Sequence, residues 1–528
     1  MSELKPDESE AKPAEKPKQT KVRWVLRQAR RLVVVVSVAI LVLVVVFSIY
    51  AWRVNVSGDR AVAEIEKALA DRGLLDLYWA YSDTDDEGWN EYATNARYWR
   101  AAMQSVPDPG DRPLLTAGTV WVNDIEHRQQ YHPDTVAALR DVFEKYPRFL
   151  ELVNDAIEAP PGRFGLANDL ADPTAGLEVL GGSRAVARWL EERARLAVIE
   201  EDGDTYVWAI NVILELSNLL DAESQIMPGI VSGTLDAIAG DAVMDGLSRI
   251  ELSTDQLDRL IEACEKRKQA IDITKMIGHD LSWQFHYVSS DVQSYLRLNE
   301  ARQSLVFHQI MHEKPDMIDT TRLPSPLGLA WKNFLLTICP GRYELRHTKL
   351  LEESLGYYDQ IKSLETKPKQ RWAYITRTLD QIKARDEHRK RDLYFSRNLD
   401  GNNVLISTRT FLLFGSNLKT LITALQVERY RVENGSWPAT LEDATGDKPF
   451  DTFGERLGYR VTIEGVIVFS KGYNTIDERG YGQHDNNVPA RFPDADDLAV
   501  RLYNPETRNS LPPPAEAIDP DYDEFHDD

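Results

Sequence analysis

From Leu32 to Trp52 the chain reads LVVVVSVAILVLVVVFSIYAW, 21 residues without a charge, a proline or a glycine. Wound as a helix, that length rises about 31 Å, close to the roughly 30 Å of a bilayer's hydrocarbon core. A segment in lipid has to satisfy its backbone polar groups internally, so a helix is the one solution open to a lone stretch. The sequence therefore predicts a single transmembrane helix. It carries no ionisable residue that would mark a transport path, and so reads as an anchor.

The flanks set its direction. Lys18, Lys21, Arg23, Arg27, Arg30 and Arg31 precede the helix with no acid among them, whereas Asp59 and Glu64 follow it. Positive charge stays on the cytoplasmic side, which predicts a cytoplasmic N-terminus and an extracytoplasmic bulk. In a cell with two membranes that means an inner-membrane, single-pass protein with its bulk in the periplasm. A cleaved signal peptide is the competing reading. Its apolar region is shorter, about 7 to 15 residues, and ends in small residues, whereas this one ends Ile49-Tyr50-Ala51-Trp52.

Charge narrows the partners. Residues 1–31 hold 9 basic and 5 acidic side chains, leaving 53 basic against 79 acidic in the remainder, a formal −26. Such a body lacks the basic footprint of a nucleic-acid-binding surface and is repelled by anionic lipid. Its 43 % hydrophobic and 9 % aromatic content is that of ordinary globular material, enough for two or more cores. Cys264 and Cys339 are the two cysteines; they form either one disulfide or two isolated buried thiols.

Along the chain, residues 1–31 read as a disordered basic cytoplasmic tail, 32–52 as the membrane helix and 53–402 as an extracytoplasmic α-helical domain. Gly73 marks a helix break. An aromatic segment follows (Trp79, Tyr81, Trp89, Tyr92, Tyr98, Trp99), interrupted by the acids Asp83, Asp85, Asp86 and Glu87. A helix is expected over 135–157 with Asp134 as its N-cap. Helices over 184–199 and 206–220 flank a Glu-Asp-Gly-Asp turn, and another pair covers 229–246 and 254–270. Helix, short polar turn and helix is the pattern of stacked antiparallel hairpins, although no fixed repeat period is present. A long helix over 403–433 is broken by Gly415, Ser416, Asn417, Lys419 and Thr420, which argues against a second membrane span. Beyond it, 457–463 and 466–470 read as a hairpin turning at Glu464-Gly465, with 499–502 as a third strand. Residues 403–503 thus form a small α+β module, and 504–528 an acidic, disordered tail. The fold class is mainly α.

Motifs for chemistry are sparse. His308 and His312 share a helical face beside Glu313, but Gln309 stands where the general base of a zinc protease belongs. His279, Asp280 and His286 have no partner pattern. Nucleophile-elbow, phosphate-loop, dinucleotide and paired-cysteine motifs are absent from the sequence.

The most specific text is residues 424–443, ALQVERYRVENGSWPATLED. Tyr430, Asn434, Gly435 and Pro438 follow the Y-x-x-x-N-G-x-x-P ending of a long helix, Pro449-Phe450-Asp451 with Phe453-Gly454 a DPFG-like loop, and Phe469, Ser470, Gly472 and Asn474 a hairpin end. In these features residues 405–503 resemble the C-terminal domain of type II secretion major pseudopilins. The prepilin-peptidase site is replaced by Arg30-Arg31, and no Glu lies in the apolar helix, so a processed pilus subunit is not expected. The resemblance implies a calcium site in the loop after the hairpin, with Ser470, Asn474, Asp477, Asp494, Asp496 and Asp497 as candidate ligands, since calcium takes six to eight oxygens.

The sequence points to a membrane-anchored extracytoplasmic structural or interaction protein with protein partners in the envelope, associated with a secretion or envelope assembly. The alternative is an envelope hydrolase of glycan or peptide, using Asp83, Asp85, Asp86 and Glu87 beside Trp79 and Trp89.

Overall fold

The computed structural model of the chain describes residues 19–75, 77, 95–107, 133–166, 175–223, 226–289, 340–389, 402–472 and 498–508. It divides into two bodies, 1–62 with 296–346, and 63–295 with 347–528.

The first body holds most of α1 (Gln19–Ala70). From Leu32 to Trp52 its large side chains other than the partly covered Phe47 stand open, Leu32 at 65 % and Leu43 at 67 % exposure. The helix is long and apolar enough to cross a membrane.

The second body is mainly helical, with one small sheet. It receives the end of α1, whose Ile65 and Leu69 are buried. The helix stops at Ala70, and Gly73 takes a left-handed φ of 66°, the break its lack of a Cβ permits. Arg72 then clamps the exit through Asp359 on α10 (Pro340–Ser363), donating from Nε at 2.9 Å and Nη2 at 2.7 Å.

After α2 (Asn95–Gln104), the expected helix over 135–157 is in fact two, α3 (Pro133–Lys145) and α4 (Pro147–Glu158), and of these α4 packs on α2. Pro147 disfavours helical backbone in the residue before it, and Tyr146 sits at φ −119°, ψ 51°. Nor is Asp134 the cap. Pro133 starts α3, a position where the missing N–H costs nothing.

The centre is a stack of α5 (Ala175–Ile199), α6 (Gly203–Asp221), α7 (Ile226–Leu247) and α8 (Thr254–Ala270). Asp202 caps α6 by accepting the Thr205 N–H, and Ser253 with Gln256 forms a reciprocal capping box on α8. Helix α7 is as long and apolar as a membrane span, yet two-thirds of it is buried in the body, which makes it a core helix. Its glycines set the packing distance: a Cβ on Gly233 would meet Phe414 Cδ2 at 1.9 Å. Gly233→Ala is expected to lower the denaturation midpoint, at a cost of about 1 to 3 kcal/mol for overpacking.

Helices α9 (Ile273–Ser289), α11 (Pro368–Arg389) and α12 (Asn402–Asn434) complete the body. Buried hydroxyls on α12 bond back one turn, Thr408 to Val404 O at 2.6 Å and Thr420 to Ser416 O at 2.9 Å, while Ser416 and Lys419 reach Ser470 and Asp451 outside the helix. After the short α13 (Leu441–Thr445), strands β1 (Gly458–Val461), β2 (Gly465–Ser470) and β3 (Leu498–Tyr503) form an antiparallel sheet in the order β1-β2-β3. Val461 pairs with Val466 and the Thr462 N–H donates to Gly465 O at 2.7 Å, so the chain turns at 463–464, one residue before the expected Glu464-Gly465. Gly465 is already in β2 opposite Tyr503, at φ 148°, and a Cβ there would meet Leu502 O at 1.9 Å. Buried Val466, Val468, Val500 and Leu502 continue the apolar core of α5 to α8 and α12, so helices and sheet share one interior. The fold runs on through α14 (Pro505–Arg508), five residues into the segment read as a disordered tail.

Candidate functional site

A dense set of side-chain interactions surrounds α12 and the sheet. The helix ends where Gly435, at φ 70°, donates its N–H to Arg431 O at 2.8 Å. Trp437 lies under the Arg431 guanidinium at 5.4 Å and donates Nε1–H to Asn504 Oδ1 at 2.7 Å. Tyr459 OH, on β1, donates to Pro438 O at 2.8 Å. Thr440 and Asp443 then form the capping box of α13.

The turn after α13 is built round Asp451, which is 2 % exposed. Its Oδ1 accepts N–H groups from Phe453 at 3.0 Å and Glu455 at 2.8 Å, and its Oδ2 accepts Ser470 Oγ–H at 2.7 Å. Ser416 Oγ on α12 donates to Ser470 Oγ at 3.0 Å. Burial raises the Asp451 carboxyl above its ordinary range, and these donors oppose the shift. Ser470, a candidate calcium ligand, is thus fully buried and already committed to Asp451. Ser470→Ala is expected to cost about 1 to 3 kcal/mol, because Asp451 and Ser416 lose a buried partner; urea denaturation reads it. The other candidates, Asn474, Asp477, Asp494, Asp496 and Asp497, lie outside the described residues. Among the described residues no group of three or more His, Cys, Asp or Glu side chains is placed to hold a metal ion.

Four further sets of buried acids are held in place. Arg267 on α8 is 1 % exposed and joins α6 to α7, its Nε donating to Asp236 Oδ1 at 2.8 Å and its Nη1 to Asp221; Ser217 Oγ donates to Asp236 at 2.7 Å and Ser232 Oγ to Asp221 at 2.6 Å. On α5, Arg195 Nη2 pairs with Glu191 at 2.7 Å, and Arg195 Nη1 with Glu192, whose carboxyl burial pushes up to about 7; Arg249 Nε holds Asp245 at 2.8 Å. Glu223 accepts three consecutive backbone N–H groups, of Phe164, Gly165 and Leu166. Glu428 on α12 is completely buried and receives both Arg431 and Arg508. Guanidinium or backbone donors saturate each set, an arrangement that fixes helices rather than poises a carboxyl for proton transfer.

No protein-family model, curated protein or solved structure matches this chain. Its chemistry is therefore read from its own residues. Cys264 is a free, fully buried thiol that burial pushes up to about 12, a packing residue rather than a nucleophile. Cys339 lies outside the described residues, as do His308, His312, Glu313, and the acids Asp83, Asp85, Asp86 and Glu87 with Trp79 and Trp89. His279 is buried in α9 and lowered by that burial to about 4, which keeps it neutral. The next residue, Asp280, is raised to about 6 and accepts from Gln284 Nε2 at 2.7 Å. His286 Nε2 contacts Leu75 O at 3.1 Å, where α1's exit meets α9. Sequence reasoning missed the buried ion pairs: Arg267 lies 31 and 46 positions from Asp236 and Asp221, and Arg508 lies 80 from Glu428, although the Arg195, Arg249 and Arg431 pairs are three or four apart on one helix.

Proposed function

We propose that the chain is a membrane-anchored extracytoplasmic structural or interaction protein, serving a secretion or envelope assembly through protein partners. One observation carries the reading. A single helix presents open apolar side chains over 32–52 and, without interruption, buries Ile65 and Leu69 in the folded body. Exposing so much contiguous apolar surface to water is unfavourable, and lipid removes the cost. The six cations before it support a cytoplasmic N-terminus.

The body supports a scaffolding role. Stacked helices joined by interlocked buried ion pairs make a rigid surface for partners. The succession of long helix, left-handed glycine, short helix, turn and antiparallel sheet supports the pseudopilin-like reading of 405–503.

The test is mild cross-linking of the tagged full-length chain in its native membranes, followed by purification and mass spectrometry. Secretion or envelope-assembly components are the expected partners. Recovery of the chain alone, or hydrolytic turnover of glycan or peptide by the purified protein, would overturn the reading.

A further inference from the structure

The turn at 451–455 gathers cations from four elements on a body whose formal charge is strongly negative. The first turn of α11 lies against it. Trp372 packs on Phe453 with ring centroids 4.7 Å apart, and a Cβ on Gly454 would meet Pro368 Cγ at 3.0 Å and Lys369 Cγ at 2.9 Å. This end of α11 brings Lys369 and Arg371 and has no acid in its first turn. Helix α12 adds Lys419, whose Nζ donates to Asp451 O at 3.4 Å. Lys268 comes from the last turn of α8, and Lys471 follows β2. Lys369 and Lys471 share Glu455, at 2.5 and 3.9 Å, and Lys268 pairs with Glu265 at 2.5 Å.

Lys419 and Arg371 differ from the rest. Both are half-buried, and among the described residues neither has a carboxylate within ion-pair distance. Arg371 Nε is shielded from solvent yet makes no hydrogen bond. Lys419 has three N–H donors and, among the described residues, fills one of them, at a long 3.4 Å. Burial lowers the Lys419 ammonium below its ordinary range, and repulsion from Lys268 and Arg371 adds to this against the attraction of Asp451 and Glu265. Arg371 is lowered as well, chiefly by burial. Unlike the saturated carboxylates elsewhere, this cluster holds unfilled donors around a surplus of positive charge, beside a helix N-terminus that carries positive dipole.

We propose that Lys419, Arg371 and the first turn of α11 form a binding site for a phosphate-type oxyanion, with Lys268 and Lys369 at its edge. A compact, multiply charged group with several acceptor oxygens fills donors that a single carboxylate cannot, and its charge relieves the repulsion among the three cations. Free phosphate and a lipid phosphate present the same chemistry.

The experiment uses full-length protein in nanodiscs of zwitterionic lipid, with inorganic phosphate as the probe, followed by calorimetric titration and by thermal denaturation. Saturable binding and a rise in midpoint are expected. Lys419→Met and Arg371→Met, which keep the apolar stem, should each weaken binding about tenfold or more and abolish the rise. Without phosphate they should denature no earlier than the parent, since each removes a repelled, half-buried cation. Lys266→Met, at an exposed lysine paired with Glu215, should leave phosphate binding unchanged. Repeating the titration in phosphatidylglycerol nanodiscs separates the sources. Weakened phosphate binding there supports a lipid headgroup as the occupant, and unchanged binding supports the free anion. Absence of binding, or a midpoint rise of equal size in parent and both variants, overturns the proposal.

Discussion

Arg508→Met is expected to lower the stability of the body by about 3 to 5 kcal/mol, the usual cost of stripping one partner from a buried ion pair. Arg508 is the last described residue of the chain, in the one-turn helix α14, yet it is 3 % exposed. Its Nη2 donates to both oxygens of Glu428 at 2.9 Å, its Nε to Tyr503 O at 2.9 Å, and its Nη1 to Ile250 O at 3.1 Å. One side chain thus ties the end of β3, helix α12 and the approach to α8. Glu428→Gln should cost a comparable amount, because Arg508 and Arg431 then face a neutral amide. Arg431→Met should cost less. Glu428 keeps Arg508 in that variant, and Arg431's other carboxylate, Glu251, is 53 % exposed. Equilibrium denaturation in urea reads all three. A midpoint for Arg508→Met equal to the parent's would show that the C-terminal segment does not close the body.

Arg267→Met should have an effect as large and, unlike the first, one that depends on pH. Asp221 and Asp236 both lean on this guanidinium from α6 and α7, and all three side chains are at least 95 % buried. Without it two carboxylates remain together in a dry interior, which costs about 3 to 5 kcal/mol near neutral pH. Even with Arg267 present, burial pushes Asp221 up to about 6 from an ordinary 3.8. A carboxyl whose folded pKa exceeds its unfolded one takes up a proton on folding. Its stabilising contribution is therefore present at low pH and fades as pH rises from 3.8 through about 6. The variant's deficit should thus be largest at pH 8 and shrink toward pH 5. Combining Arg267→Met with Asp221→Asn and Asp236→Asn should restore much of the loss, because no unpaired charge then remains. A deficit that is constant from pH 5 to 8 would mean that lost packing, rather than unpaired charge, causes it.

How far the sequence revealed this fold depended on the range of each signal. Helix α8 was legible to the residue, because Ser253, Gln256 and the apolar positions Leu257, Leu260 and Cys264 are all local. The turn before α6 was legible in Glu201 and Asp202, although the helix starts at Gly203, inside the expected 201–204 turn; the end of α12 at Gly435 was plain. Pro147 was the local signal that divides 133–158, but the apolar pattern continues across it and masks the break. The hairpin turn lies one residue earlier than expected, because Gly465 already belongs to β2, held close to Leu502 O on a strand more than thirty positions away.

The site was less legible than the fold. Asp221 and Asp236 read as ordinary polar residues on apolar helices until Arg267 is brought beside them from α8. Arg508 fell in a tail that composition marks as disordered, and the partner that orders it is Glu428 on α12. Ser470 was singled out as a metal ligand, whereas its hydroxyl bridges Ser416 and Asp451 in the interior. The cations round the 451–455 turn come from α8, α11, α12 and the end of β2, so no linear motif announces them.

The central claim, an anchored body on the far side of the membrane from the basic N-terminus, is tested most directly by protease accessibility in oriented membrane vesicles. With right-side-out vesicles from the native cell, added protease should degrade residues C-terminal to the apolar helix and leave an N-terminal tag intact. Inverted vesicles should give the reverse, loss of the tag and protection of the body. Degradation of the body in inverted vesicles, or its release from membranes by alkaline carbonate, would contradict the account.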